Sequence, residues 1–378
     1  MTDAAIEFFL VVTPGLEELA ATELKLKWAR LHKADAETFA ESPAFTVEKG
    51  GLSLKTSPAA GWLLNSYLKI PTRILQRVDR FTAKDFPKLY NRLKKFPWNK
   101  FFRSGAVEIK VAVSASRLKI KDRIRETALK AIADAQTHQA FRKPYLEVPQ
   151  TVFLRIQEDE ASVSVDTSGD ALYLRGYKPQ SVVAPLRETL AAALYLAAYE
   201  RLKTDPAFVV DPMCGSGTLI FESFAFWKPN THRRYACQNF PYAPELMTAD
   251  FKALPEAGGP RLGLGLDHDE KAHAAAVENA KVFGVPEIQF VKAEINDDAI
   301  SDRGRPALML VNPPYNERIK ADASDIRKKL EAFATQLAPD VACVVWPGER
   351  AVKSLAGRPL LREIHTTSGG LPITMALY

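Results

Sequence analysis

Hydrophobic and polar positions fall into two textures along the 378-residue chain. In the first, Phe8 to Val12 is a short apolar run that reads as a strand. Pro14-Gly15 then turns the chain into a helix from Leu16 to about Leu31, with Leu16, Leu19, Ala20, Leu24 and Trp28 at helical spacing. Gly50 to Leu54 predicts a short strand, 58–70 a helix stopped by Pro71, and 85–97 a helix with Pro97 at its end. Between those helices Arg73 to Phe81 alternates apolar with basic residues, the pattern of a strand with one wet, positive face. Val107, Ile109, Val111 and Val113 mark a half-buried strand. Ile124, Ala128, Ile132 and Ala135 share one helix face, and Val152–Ile156 with Ser162–Val165 form a hairpin around the polar loop 157–161. This half reads as α+β.

The texture changes near residue 181. A helix opens at Ala184-Pro185, with proline in its first turn. Continuous apolar runs follow at Phe208–Val210, Leu262–Leu266, Ile288–Val291, Leu308–Val311 and Val341–Val345, each trailed by a helical segment. Strands apolar on both faces and separated by helices predict a parallel, doubly wound α/β sheet. Leu371–Leu377 reads as its edge strand, and Gly176–Ser181 as the linker between the halves.

Composition narrows the class. With 47% apolar and 25% charged residues the chain is neither disordered nor a disulfide scaffold. No run approaches the ~18 apolar residues of a membrane span, and the acidic, short apolar start does not resemble a signal peptide. Three cysteines without a CxxC pair and six histidines without HxxxH spacing predict no metal site, and a cytoplasmic protein with reduced thiols. The net charge of +6 is unevenly placed. Residues 51–150 hold 21 basic against 7 acidic side chains, whereas residues 179–378 hold 22 against 24. A basic block on a nearly neutral partner suggests a polyanion ligand. Arg117, Lys119, Lys121, Arg123 and Arg125 cluster where a strand turns into a helix, and the free N–H groups of a helix start beside cations suit the phosphates of a nucleic acid better than a merely solvated face.

Three strings carry chemistry. Asp211-Pro-Met213-Cys-Gly215-Ser216-Gly217-Thr218 follows the first buried strand and opens a helix, so its glycines allow a tight turn and close approach to a ligand. The flanking Asp211 disfavours phosphate and suits a cationic, amino-acid-like ligand. In Gly263-Leu-Gly-Leu-Asp267-His268-Asp269, Asp267 ends the next strand, where an acid accepts hydrogen bonds from a ribose diol. Asp269 would cap the following helix, and His268 reads either as packing on an adenine edge or as an exposed loop residue. Asn312-Pro313-Pro314-Tyr315 sits at the carboxyl end of the fourth strand, where open α/β sheets bind substrates. A planar exocyclic amine is a poor nucleophile because its lone pair is conjugated into the ring. The Asn312 side-chain oxygen and the Pro313 carbonyl can each accept one of its N–H bonds, which would hold the nitrogen near tetrahedral. Pro314 would stiffen the loop, and Tyr315 offers a ring on which a base stacks.

These strings in this order resemble the Rossmann-fold S-adenosylmethionine-dependent amino-methyltransferases. Leu174-Arg-Gly-Tyr-Lys178 followed by Ala184 to Ala193, together with Gly50-Gly51-Leu52, 64–81 and Phe96-Pro97-Trp98, is similar to members that carry a THUMP domain and methylate guanine N2 in large-subunit ribosomal RNA. The resemblance covers about residues 5–378. It implies a ferredoxin-like part (1–55), a THUMP-containing RNA-binding part (56–168) and a Rossmann-like class I methyltransferase domain (169–378). It also implies S-adenosylmethionine along Asp211, Met213, Gly215, Ser216, Gly217 and Thr218, with the ribose on Asp267, the adenine beside His268, and Glu294 as the acid meeting its amine. Asn312 to Tyr315 would form the catalytic loop. Asn316 departs from the glycine usual after this loop. The expected partner is ribosomal RNA or a ribosomal precursor, bound by a monomer. Transfer RNA, an adenine N6 in DNA, a protein glutamine, or a non-catalytic assembly role are the alternatives.

Overall fold

The computed structural model describes residues 5–102, 107–136, 150–180, 186–241, 254, 258–295, 304–314 and 323–378. Two seven-stranded sheets organise it. The first takes β1 (Ile6–Val11), β2 (Ala44–Glu48), β3 (Gly51–Thr56), β4 (Arg73–Thr82), β5 (Val107–Ser114), β6 (Gln150–Gln157) and β7 (Glu160–Asp166). Their order is β2-β3-β1-β4-β7-β6-β5, antiparallel except for the β5–β6 pair. The expected division after residue 55 falls inside β3, within this one sheet. Four helices accompany it: α1 (Glu17–Ala34), α2 (Pro58–Tyr67), α3 (Phe86–Lys95) and α4 (Lys121–Gln136).

Local chemistry sets the boundaries. Ser57 and Asp85 cap α2 and α3 by accepting from the Ala60 and Lys88 N–H groups, each with proline in the first turn. The sequence predicted α2 through residue 70, but it stops at Tyr67. Leu68 turns extended, so that the backbone N–H groups of Lys69 and Ile70 reach the Glu23 carboxylate at 2.7 and 2.9 Å. Phe96 is likewise extended, the conformation favoured before proline, and α3 ends at Lys95 instead of running on to Pro97.

The second sheet contains β8 (Phe208–Asp211), β9 (Leu262–Asp267), β10 (Ile288–Lys292), β11 (Ala307–Val311), β12 (Val341–Pro347), β15 (Arg362–Ser368) and β16 (Leu371–Leu377), with the small hairpin β13 (Ser354–Leu355) and β14 (Arg358–Pro359) outside it. Helices α5 (Glu188–Leu202), α6 (Thr218–Ala225), α7 (Glu270–Phe283) and α8 (Ala323–Leu337) alternate with these strands. The order is β10-β9-β8-β11-β12-β16-β15, so the parallel strands reverse their progression at β8. β8 and β11 are buried throughout and β12 through Val345, as their apolar runs predict, whereas β10, expected as a buried strand, lies at the sheet edge and buries only Ile288.

Two expectations change here. Leu371–Leu377 is not the edge: β16 is inserted antiparallel between β12 and β15, and β15 takes the edge. A wet strand such as β15 carries too few apolar residues to be read from the sequence. The helix expected from Ala184 begins at Glu188, with Pro185 outside the described residues. The predicted linker is also tightly held where it begins: Arg175 and Tyr177 are buried against α6.

Candidate active site

The carboxyl ends of β8, β9, β10 and β11 meet at the point where strand order reverses, the place where open α/β sheets bind ligands. A cavity of about 1110 Å³ opens there. Asp211, Met213, Gly215, Ser216, Thr218, Asp267, His268, Glu294, Asn312 and Pro314 line it, so the structure gathers most of the residues singled out in the sequence, drawn from strand ends far apart in the chain. Gly217 and Pro313 do not line it, although Pro313 is buried within the same loop. Tyr315 lies outside the described residues, as does Asn316.

The turn after β8 is built by short-range bonds. Gly217 caps α6 at φ +88°, and a Cβ there would lie 2.6 Å from Phe221 and 2.7 Å from Phe290, so only glycine fits. The backbone of the turn hangs from the neighbouring strand: Cys214 N donates to Leu266 O (2.8 Å), and Gly215 N donates to Asp267 Oδ2 (2.8 Å). Asp267 Oδ1 accepts from Asp269 N (3.0 Å). A carboxylate has about four lone-pair positions. Two are used among the described residues, which leaves two for a diol at the cavity wall. Asp269 caps α7 through Ala272 N (2.8 Å), the structural part expected of it.

Asp211 is electrostatically unusual. Its side chain is buried and accepts from Met213 N at 3.0 Å. Burial pushes its carboxyl well above the ordinary carboxylate range, the Met213 bond opposes this, and the nearby Asp267 charge adds to the rise. No cation accompanies it among the described residues. A buried acid without a counter-charge, at the wall of a cavity, is suited to a cationic ligand. The same burial, with Asp211 and Asp267, pushes the Cys214 thiol well above its usual value, so this cysteine is not an activated nucleophile. His268 is 71% exposed and its Nδ1 is 3.9 Å from Asp267 Oδ1.

Sequence reasoning missed the frame behind this wall. Asn279 is buried on α7, its Nδ2 donating to Ser216 O (3.1 Å) and Gln180 O (3.0 Å) while its Oδ1 accepts from Gln180 N (3.0 Å). It therefore ties the glycine turn to the segment entering from the first half. The available signal was an uncharged polar residue on an otherwise apolar helix face.

The basic cluster is partly self-neutralised. Arg117 N and Nε meet Asp159, Arg125 is bound to Asp122 and Ile109 O, and Arg123 lies 4.2 Å over the Phe86 ring. Lys119 and Lys121 are exposed and enter no ion pair among the described residues. Arg117 and Lys119 border a second, open depression with Ser114, Ser116 and Asp159. Among the described residues no His/Cys/Asp/Glu group could hold a metal ion, and no helix is long and apolar enough to cross a membrane.

Comparison with known proteins agrees with this architecture. The family model described as UPF0020, RMKL-like, methyltransferase domain matches residues 175–376. Ribosomal RNA large subunit methyltransferase K/L of Syntrophotalea carbinolica is 31% identical over 355 residues, covering 89% of this chain and 48% of the relative. The chain spans about half the length of the curated relatives it matches. Among solved structures, a possible methylase from Clostridium difficile 630 superposes with a TM-score of 0.78 at 22% identity, over 99% of this chain and 98% of that one. SMU.472, a methyltransferase candidate crystallised with SAH, gives 0.79 at 21% identity with the same coverage. At these identities the structures speak for the fold.

Proposed function

The chain belongs to the UPF0020 family of RMKL-like methyltransferase domains, and from that premise we propose that it transfers a methyl group from S-adenosylmethionine to the exocyclic 2-amino group of a guanine in large-subunit ribosomal RNA. The supporting observation is the meeting of Asn312 and Pro314 with Asp211 and Asp267 in one cavity. The residues fit the cofactor. The buried, unneutralised Asp211 suits its cationic amino-acid portion, and Asp267 keeps two acceptor positions for a ribose diol. When bound, the cofactor supplies an activated methyl group on a sulfonium, which leaves as a neutral thioether.

The chain's own residues then have a limited task. Asn312 lines the cavity directly after the fully buried strand β11, and buried Pro313 follows it, so in this reading the amide oxygen and the Pro313 carbonyl are the two acceptors offered by the strand end. They accept the two N–H bonds of the substrate amine and hold its lone pair out of conjugation, a positioning and electrostatic contribution. Acidic side chains around the cavity favour the cation and are not needed as bases, because the amine becomes strongly acidic as the methyl arrives and releases its proton to water. The N-terminal sheet and its exposed Lys119 and Lys121 supply affinity for the phosphate backbone. The relatives named as ribosomal RNA methyltransferases support RNA as the substrate.

The test is methyl transfer from labelled S-adenosylmethionine to ribosomal RNA by the wild type and Asn312→Ala. The variant should lose about 10²–10³-fold in kcat, the scale of one removed transition-state acceptor or donor, while cofactor affinity stays within about twofold. Turnover that survives the substitution contradicts the assignment of the loop.

A further inference from the structure

Lys178 closes the segment that enters the second half, and it touches the cavity wall from behind. Its Nζ lies 2.9 Å from Thr218 Oγ1 and 2.6 Å from Glu188 Oε1, with side-chain exposures of 8% for Lys178 and 11% for Glu188. An ammonium can only donate, so Thr218 Oγ1 accepts here, and the hydroxyl keeps its own proton for another acceptor. No hydrogen bond among the described residues uses that proton, and Thr218 lines the cavity. Thr218 is the first residue of the eight-residue helix α6, whose first N–H groups face the same end. Three features thus converge at one end of the cavity: a hydroxyl with its proton uncommitted, a helix N-terminus, and a nearly dry cation bonded to that hydroxyl. The first two favour an anionic group, and the third, itself paired with Glu188, fixes the hydroxyl oxygen so that its proton is free to donate.

The placement of Lys178 is rigid. Arg175 Nε and Nη2 hold Glu222 on α6 at 3.1 and 3.0 Å, and the Tyr177 hydroxyl donates to the same carboxylate. Glu222 is one turn beyond Thr218, so residues 175–178 run along one face of α6 with a bond at each turn. Lys178 cannot drift without breaking that strap.

We propose that Lys178 is a positioning residue for the carboxylate of the cofactor's amino-acid portion. It holds the Thr218 oxygen from behind, with Glu188 fixing the ammonium, so that the hydroxyl proton is turned toward that carboxylate. Thr218 would then meet the carboxylate and the buried Asp211 the ammonium of one zwitterionic amino-acid group. This rests on the proposed use of S-adenosylmethionine.

The experiment is calorimetric titration of the full chain with two ligands: S-adenosylhomocysteine, which has the amino-acid portion, and 5′-methylthioadenosine, which keeps the nucleoside and thioether but lacks it. For the wild type, S-adenosylhomocysteine should bind more tightly. Lys178→Met should weaken S-adenosylhomocysteine about tenfold, the scale of a lost charge-assisted contact, and leave methylthioadenosine unchanged. Lys178→Arg should restore most of the loss. Because Lys178→Met leaves Glu188 buried without its cation, the double variant Lys178→Met/Glu188→Gln and the near-isosteric Thr218→Val guard against misfolding, and both should show the same ligand-selective loss. Equal weakening of the two ligands, or no weakening of either, overturns the proposal. A wild type that binds neither ligand overturns the functional reading beneath it, a result separate from any behaviour of the variants.

Discussion

Asp211 and Asp267 end adjacent strands and face one cavity, yet their surroundings divide their roles. Asp267 is engaged by two backbone N–H groups, whereas Asp211 has one and is fully enclosed. Its carboxyl is pushed upward, so the folded chain holds a proton there more tightly than the unfolded chain does. Stability contributed by this group is complete below the unfolded carboxyl range and is lost as pH rises through the raised folded value. The ligand-free protein therefore carries a cost at neutral and alkaline pH. Asp211→Asn keeps an acceptor for Met213 N and removes the charge. It should raise the ligand-free thermal midpoint by about 2 °C at pH 8 and by nothing near pH 4, while weakening S-adenosylhomocysteine. A midpoint gain independent of pH contradicts this reading of Asp211. These residues were legible in the sequence because each is a lone polar position at the end of an apolar run. The contacts Lys178–Thr218, Arg175–Glu222 and Asn279–Gln180 were not, since they span 40, 47 and 99 residues and no local pattern announces them.

At the scale of elements, α6 is one of the places where the two halves are joined. Arg175 bridges Glu222 on α6 to Lys69 O in the first half, where Lys69 N and Ile70 N in turn engage Glu23 of α1. All of these side chains are buried. Burial of Lys69 lowers its pKa well below the ordinary value, reinforced by Arg175 and Lys27, which reduces the excess of cations over the acids Glu23 and Glu222. Removing one partner of such a pair leaves an uncompensated buried charge. Arg175→Met should destabilise the chain by about 3–5 kcal/mol, and Arg175→Met/Glu222→Leu should recover a substantial part, measured by denaturant unfolding. Recovery absent in the double variant would mean that the bridge to Lys69 O, and not the ion pair, carries the stability. The helices and the apolar strands were readable from periodicity, but β2, β13, β14 and β15 were not. Sheet order was not: β2 and β15 expose most of their residues, and β16 enters antiparallel where an apolar pattern alone cannot give direction.

For the whole molecule, charge and chemistry separate along the chain. The basic block of residues 51–150 coincides with the first sheet and its helices, where Lys119 and Lys121 stand exposed, and the second sheet holds the cavity with its acids. That partition is legible in the amino-acid sequence as an uneven charge tally, and the two sheets give it a physical form. It supports an enzyme that grips a polyanion with one half and modifies a base with the other. The identity of the modified atom is the central claim. It is tested most directly by mass analysis of nucleosides from ribosomal RNA treated with the full chain and isotopically labelled S-adenosylmethionine. The account predicts label in N2-methylguanosine, lost with Asn312→Ala. Label in N6-methyladenosine, or none in RNA from a protein that binds the cofactor, would contradict it.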